Sequence, residues 1–252
     1  MSETQNSRHM SNRPVLAAII LALGLSIAGI ATGVGFARGR AADRYVTVKG
    51  VAEREVLADL AIWPLRVVVA NNDLGEANRA IQASVRQVRE FLAQQGIDST
   101  QTALQDFVVT DAYANQYGNR DQITSRYVIR QTLVVRSVQP AQVAAASQRV
   151  PELVSTGVVL STGDEYGGSS GPTFLFTKLN DVKPAMIEEA TARAREAAEQ
   201  FARDSKSAMG GIRRANQGVF EILPRDQAPG ISEASQLTKT VRVVSTVDYS
   251  LR

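Results

Sequence analysis

The sequence predicts an α+β domain of antiparallel sheet with long hairpins and three packed helices, preceded by one N-terminal transmembrane helix. Three observations carry this expectation. Val15 to Ala37 is a run of 23 residues without a charge, long enough at ~1.5 Å per residue to cross the ~30 Å hydrocarbon core of a bilayer. Beyond it, β-branched residues alternate at period two in paired runs, the pattern of half-buried strands. Between the pairs lie stretches with apolar residues at helical spacing, and such an order reads as helices packed on antiparallel sheet rather than a parallel nucleotide-binding sheet.

The chain divides at its hydrophobic run into a short tail (1–14), a signal anchor (15–37), a basic juxtamembrane linker (38–44) and one ectodomain (45–252). The run admits a second reading as a cleaved signal peptide, with Arg8 and Arg13 in front and Gly35 and Ala37 as a small-x-small site. Its apolar stretch exceeds the roughly 7 to 15 residues of a signal h-region, and Arg38 and Arg40 follow where cleavage sites are normally uncharged, which favours the uncleaved anchor. Charge alone does not orient it. Arg8 and Arg13 face Arg38, Arg40 and Arg44 across the span, a count that favours a cytoplasmic domain, whereas a short N-terminal tail commonly stays inside while the bulk is exported.

In the ectodomain, Tyr45–Val51 and Val56–Ala70 read as two strands. Asn72 or Asp73 then caps a helix, with Glu76 three residues after Asp73 as in a capping box and Leu74, Ala77, Ile81, Val85, Val88 and Leu92 at helical spacing, and Gly96 ends it. Leu104–Tyr117 and Ile123–Val138 are β-rich runs separated by Gly118, Asn119, Arg120 and Asp121, the turn chemistry of an antiparallel hairpin. A short helix follows Pro140, kinked or restarted at Pro151. Thr173–Leu179 reads as a strand. Asp181 opens the longest helix of the domain, with Pro184 in its first turn and Ile187, Ala190, Ala194, Ala197 and Phe201 on one face, closed by Gly210 and Gly211. Gln217–Leu223 and Thr240–Leu251 finish the chain as strands.

The 28 basic and 25 acidic residues give a net charge of +3. Setting aside Arg8, Arg13, Arg38, Arg40 and Arg44, and Glu3 and Asp43, leaves 23 of each sign from Tyr45 onward. A neutral ectodomain lacks the cationic surplus that displaces counterions from phosphates, so no nucleic-acid partner is expected. Arg13, Arg38 and Arg40 flank the span as lipid-headgroup partners or simply as its polar ends. The chain has no cysteine, and its single histidine, His9, precedes the span. The ectodomain therefore holds no Ser-His-Asp or Cys-His arrangement and no histidine-bearing zinc site.

Other chemistry is thin. Asp164 and Glu165 form the best carboxylate pair, but adjacent residues on an extended chain point to opposite faces, and a solvated loop is the simpler reading. Gly167, Gly168 and Gly171 beside Ser169 and Ser170 lack the Gly-Lys-Ser/Thr ending of a phosphate cradle. A Ser-Lys dyad with Lys178 or Lys206 lacks SxxK spacing. No catalytic residue, metal or cofactor is assigned.

Surfaces for assembly are better candidates. Pro64 beside Trp63, inside an apparent strand, lacks a ladder donor and points to an edge or bulge open to a second copy, against the default of a tryptophan in the core. Glu189 and Arg193 are spaced i,i+4 on the Ala-rich helix, either as a solvated pair or as part of an interface. Tyr113, Tyr117 and Tyr127 flank the hairpin, as ordinary β formers or as the lining of a ligand surface.

Val46-Thr-Val-Lys-Gly50 leading to Ala58-Asp-Leu-Ala61, Tyr127 and Thr132-Leu-Val-Val135, the Ala190–Ala208 helix ending in Gly-Gly-Ile212, and Val241–Tyr249 together resemble the SIMPL-domain family over roughly residues 45–251. The chain departs from the family pattern at Ala52 and Ala58, in place of glycine and proline, and in the Gly-Ser-rich stretch after Thr162. The resemblance implies a bacterial periplasmic or inner-membrane-anchored protein, associated with oxidative-stress phenotypes, with ring-like or channel-like oligomers in at least one member and no catalytic motif to carry over. Read with the residues, it points to a non-enzymatic envelope protein that forms a homo-oligomer and faces the periplasm from the inner membrane. A soluble periplasmic form after signal cleavage, a monomeric adaptor for another envelope protein or peptide, and a histidine-free hydrolase are the alternatives.

Overall fold

A computed structural model describes residues 13–41, 44–114, 124–161 and 171–252. Helix α1 (Arg13–Ala41) precedes β1 (Tyr45–Leu57) and β2 (Leu60–Asn71), the two expected strands, with β1 running six residues past Val51 and taking in the Val56 at which the second was expected to start. Helix α2 (Leu74–Gln94) starts where the capping box places it, with the Asp73 carboxylate accepting from the Glu76 amide at 2.8 Å. The hairpin strands are β3 (Thr102–Asp111) and β4 (Tyr127–Ser137), paired antiparallel. Gly118 to Asp121 and Tyr117 lie outside the described residues.

Of the two expected outcomes at Pro151 the restart is the one found: α3 (Pro140–Gln148) ends and α4 (Val150–Ser155) begins, with Pro151 in the first turn of the new helix, where its missing donor costs nothing. Strand β5 (Thr173–Leu175) is shorter than expected, and α5 (Leu179–Asp204) begins early enough to leave Pro184 past its first turn. Gly210 and Gly211 do not close α5. They belong to β6 (Met209–Gln217), a strand the glycines disguised, and β7 (Glu221–Pro224) and β8 (Thr238–Leu251) follow. A Cβ on Gly210 would stand 3.1 Å from the Ser250 carbonyl oxygen and closer still to its hydroxyl, so close strand approach explains that glycine.

Two four-stranded sheets result, one in the order β3-β4-β2-β5, the other running β1-β8-β6 with β7 also paired to β8. The described chain groups into two compact units, and β1, α5 and β8 contribute residues to both. In the unit of residues 51–190 and 217–244, Trp63, Leu65, Val67, Ile129, Leu133 and Val135 of the β3-β4-β2-β5 sheet are buried with Ile81, Val88 and Leu92 of α2. A second cluster there joins Ala52 and Val56 to Met186, Ala190, Val241 and Val243. In the other unit, Val46, Val247 and Tyr249 pack with Ala194 and Ala198. The buried stripe of α5 is thus Met186, Ala190, Ala194, Ala198 and Ala202, a row spaced by four, while the expected Ala197 and Phe201 are exposed, Phe201 by 48%.

Candidate functional site

Helix α1 carries the clearest functional feature. Leu16–Phe36 is long and apolar enough to cross a membrane, and all its side chains are exposed. Its hydroxyls are satisfied within the helix, Ser26 donating to the Ala22 carbonyl at 2.8 Å and Thr32 to that of Ala28 at 2.7 Å, as hydrocarbon requires. Arg13, Arg38 and Arg40 fall in its two ends.

The expected edge at Trp63 and Pro64 is not there. Strand β2 is an interior strand: Trp63 stands opposite Val135 and Pro64 opposite Val134 of β4, and Trp63 is 1% exposed, so the core reading of the tryptophan holds. On its other side, β5 pairs with Leu60 to Ile62, and Val159 and Ser161 bond to Val68 and Arg66. Pro64 falls in the gap between these partners, where no ladder donor is called for, which is why proline is tolerated at the centre of the sheet. A concavity of about 420 Å³ opens here, lined by Trp63, Pro64, Arg66, Val150, Leu160 and Pro172 among others.

The open edges lie elsewhere. Strand β3 ends its sheet, and Ala103 to Thr110 are exposed without a break. In the other sheet, β6 is also terminal, and Gly211 to Gln217 are exposed. Glu189 lies 4.0 Å from Arg54 with both side chains about two-fifths exposed, a pair worth little in itself. Arg193 is one turn further along α5.

Asp164 and Glu165, with Gly167, Gly168, Ser169 and Ser170, lie outside the described residues. Lys178 gives its amide to the Asp59 carboxylate, which also accepts from the Thr177 amide and hydroxyl and so ties down the entry to α5. Lys206 ends α5 at φ 53°, its neighbour Ser207 bonding back to Ala202. Among the described residues no group of three or more His, Cys, Asp or Glu gathers as metal ligands would.

Two ionic clusters escaped the sequence reading. Arg126 pairs with Asp111 at 3.1 Å and lies over the rings of Tyr113 and Tyr127, 5.4 and 4.8 Å from their centroids. The arginine's hydrogen bond holds the Asp111 carboxyl below the usual carboxylate range. Lys239 is fully buried and pairs with Glu233. The pairing of β3 with β4 brings Asp111 to Arg126, and a local turn brings Glu233 to Lys239; neither spacing is a motif.

The SIMPL family model, whose description is a protein of unknown function (DUF541), matches residues 46–249. No curated protein matches the chain. The match takes in β1 through β8 and leaves α1 outside it, and the expected resemblance is thereby met. With four-fifths of its length accounted for, from Val46 in the first strand to Tyr249 in the last, this chain belongs to the SIMPL family.

Proposed function

We propose that the protein is a non-enzymatic component of the bacterial cell envelope, held in the inner membrane by α1, with its SIMPL domain in the periplasm and self-association as its working state. The observation that carries this reading is α1, whose 21-residue apolar span, Leu16–Phe36, exposes all its side chains. The exposed strand β6 and the face of α5 bearing Glu189 and Arg193 are the surfaces for assembly. The absence of cysteine, and of histidine beyond His9, supports a role without cysteine- or histidine-based catalysis. A part in oxidative-stress protection follows from the family resemblance.

The lack of cysteine makes the test clean. Val138→Cys places one thiol at a residue 75% exposed, and a membrane-impermeant maleimide applied to intact spheroplasts is expected to label it. Protection until the cells are lysed would put the domain in the cytoplasm and overturn the topology. Light scattering of the full chain in mild detergent is expected to give a discrete multiple of the monomer mass. A monomer at every concentration would remove self-association while leaving the anchor.

A further inference from the structure

Asn78, Gln82, Arg86 and Arg89 stand on successive turns of α2 and form one wall of a groove of about 410 Å³. Ile81 and Val85 are its buried floor, and Leu104 and Phe107 of β3 form the facing wall. Among the described residues, none of the four polar side chains on the α2 wall has a hydrogen-bond or ion-pair partner.

A bulge shapes the far wall. Pairing of β3 with β4 shifts between Gln105 and Val108, Asp106 takes φ 51°, and the Gln131 side-chain Nε2 donates to the Gln105 carbonyl at 2.8 Å. Simple alternation would place Leu104, Asp106 and Val108 on one face. The extra residue puts Phe107 beside Leu104 instead, so the groove gains an aromatic wall in place of a carboxylate. Leu104 and Phe107 remain 46% and 53% exposed.

We propose that this groove receives an extended peptide segment of a partner protein, added as a strand along β3 and directing acidic side chains to Arg86 and Arg89. Three features select that occupant. The outer edge of β3 has no pairing strand among the described residues and offers main-chain hydrogen bonds that an acyl chain cannot use. Asn78, Gln82, Arg86 and Arg89 follow at intervals of four, four and three residues, about 6, 6 and 4.5 Å along the helix axis, comparable with the ~6.7 Å repeat of every second residue in a strand, so each turn of α2 offers one polar side chain to one face of an added strand. The two arginines meet no acid of their own in the groove, and carboxylates supply the matching charge. The proposal does not depend on self-association.

The test uses the full chain in lipid nanodiscs and a displayed library of random heptapeptides as the probe. Enrichment of peptides with Asp or Glu at alternate positions, i and i+2, so that the acids share the one face that meets the α2 stripe, is expected. Their affinity should fall roughly tenfold or more in Arg86→Glu/Arg89→Glu and stay unchanged in Arg79→Ala, since Arg79 faces Glu76 outside the groove. Synthetic versions N-methylated along one edge should lose binding without any change to the protein. Enrichment of basic peptides, equal recovery on the double variant, or undiminished binding of every N-methylated form would overturn the proposal. So would competition by palmitate with no peptide enriched, which assigns the groove to acyl chains, or a consensus matching a strand of this same chain, which assigns it to self-assembly.

Discussion

Lys239 has no exposed surface, and its ammonium donates to the Glu233 carbonyl at 2.6 Å while pairing with the same residue's carboxylate. Removing the carboxylate leaves a buried charge with one acceptor, whereas removing the lysine leaves a glutamate side chain 30% exposed and able to reach water. Glu233→Ala should therefore cost about 3 kcal/mol, and Lys239→Met should lie within about 1 kcal/mol of the parent or exceed it, as read by urea denaturation. Equal losses in the two variants would mean that packing of the lysine stem, not charge, sets the cost. At Asp111 the lowered carboxyl pKa makes stability depend on pH in one direction. The contribution is present above the unfolded carboxyl's value of about 4 and is lost as pH falls through the lower folded value. The Tm gap between the parent and Asp111→Asn should be constant near neutrality and close on acidification. A gap that persists in strong acid would mean that packing of the side chain, not the carboxylate charge, sets it, since an asparagine oxygen still accepts from the Tyr113 amide.

Elements whose signals are local were legible, and those set by distant partners were not. The start of α2 is written in Asp73 and Glu76, and its buried face in Ile81, Val85, Val88 and Leu92, all within one stretch of chain. Strand β6 was hidden because its glycines answer to β8, some forty residues away: Gly210 meets Ser250. Pro64 misled for a related reason, since whether a missing donor matters depends on what lies across the sheet. Ala58, where the family pattern expects proline, gives its amide to the Leu237 carbonyl at 2.8 Å, a bond that proline would abolish. Gly218 tests the same logic, because a Cβ there would lie 2.9 Å from the Val244 carbonyl oxygen, which already accepts the Gly218 amide at 2.8 Å. Gly218→Ala should destabilise by about 1 to 3 kcal/mol in thermal unfolding, and a neutral result would show that the segment between β6 and β7 shifts freely.

For the molecule as a whole, the sequence marked the long apolar N-terminal helix and the α+β class, because both follow from composition and periodicity over long windows. The α2–β3 groove was beyond its reach. It depends on one inserted residue in β3, whose effect on sidedness appears only once the strand is paired. The fold also fixes how the tether joins its domain. Arg44, three residues beyond α1, accepts a hydrogen bond from the Leu251 amide at 2.9 Å, and Thr47 bonds to Asp248, so β1 starts where β8 ends. A pull on α1, resisted at the C-terminus, therefore loads the β1–β8 ladder at one end and opens its bonds in sequence instead of shearing them together. In mechanical terms this join is a zipper. It should part at lower force under single-molecule stretching between the two termini than when the handles are moved to opposite ends of the same strand pair.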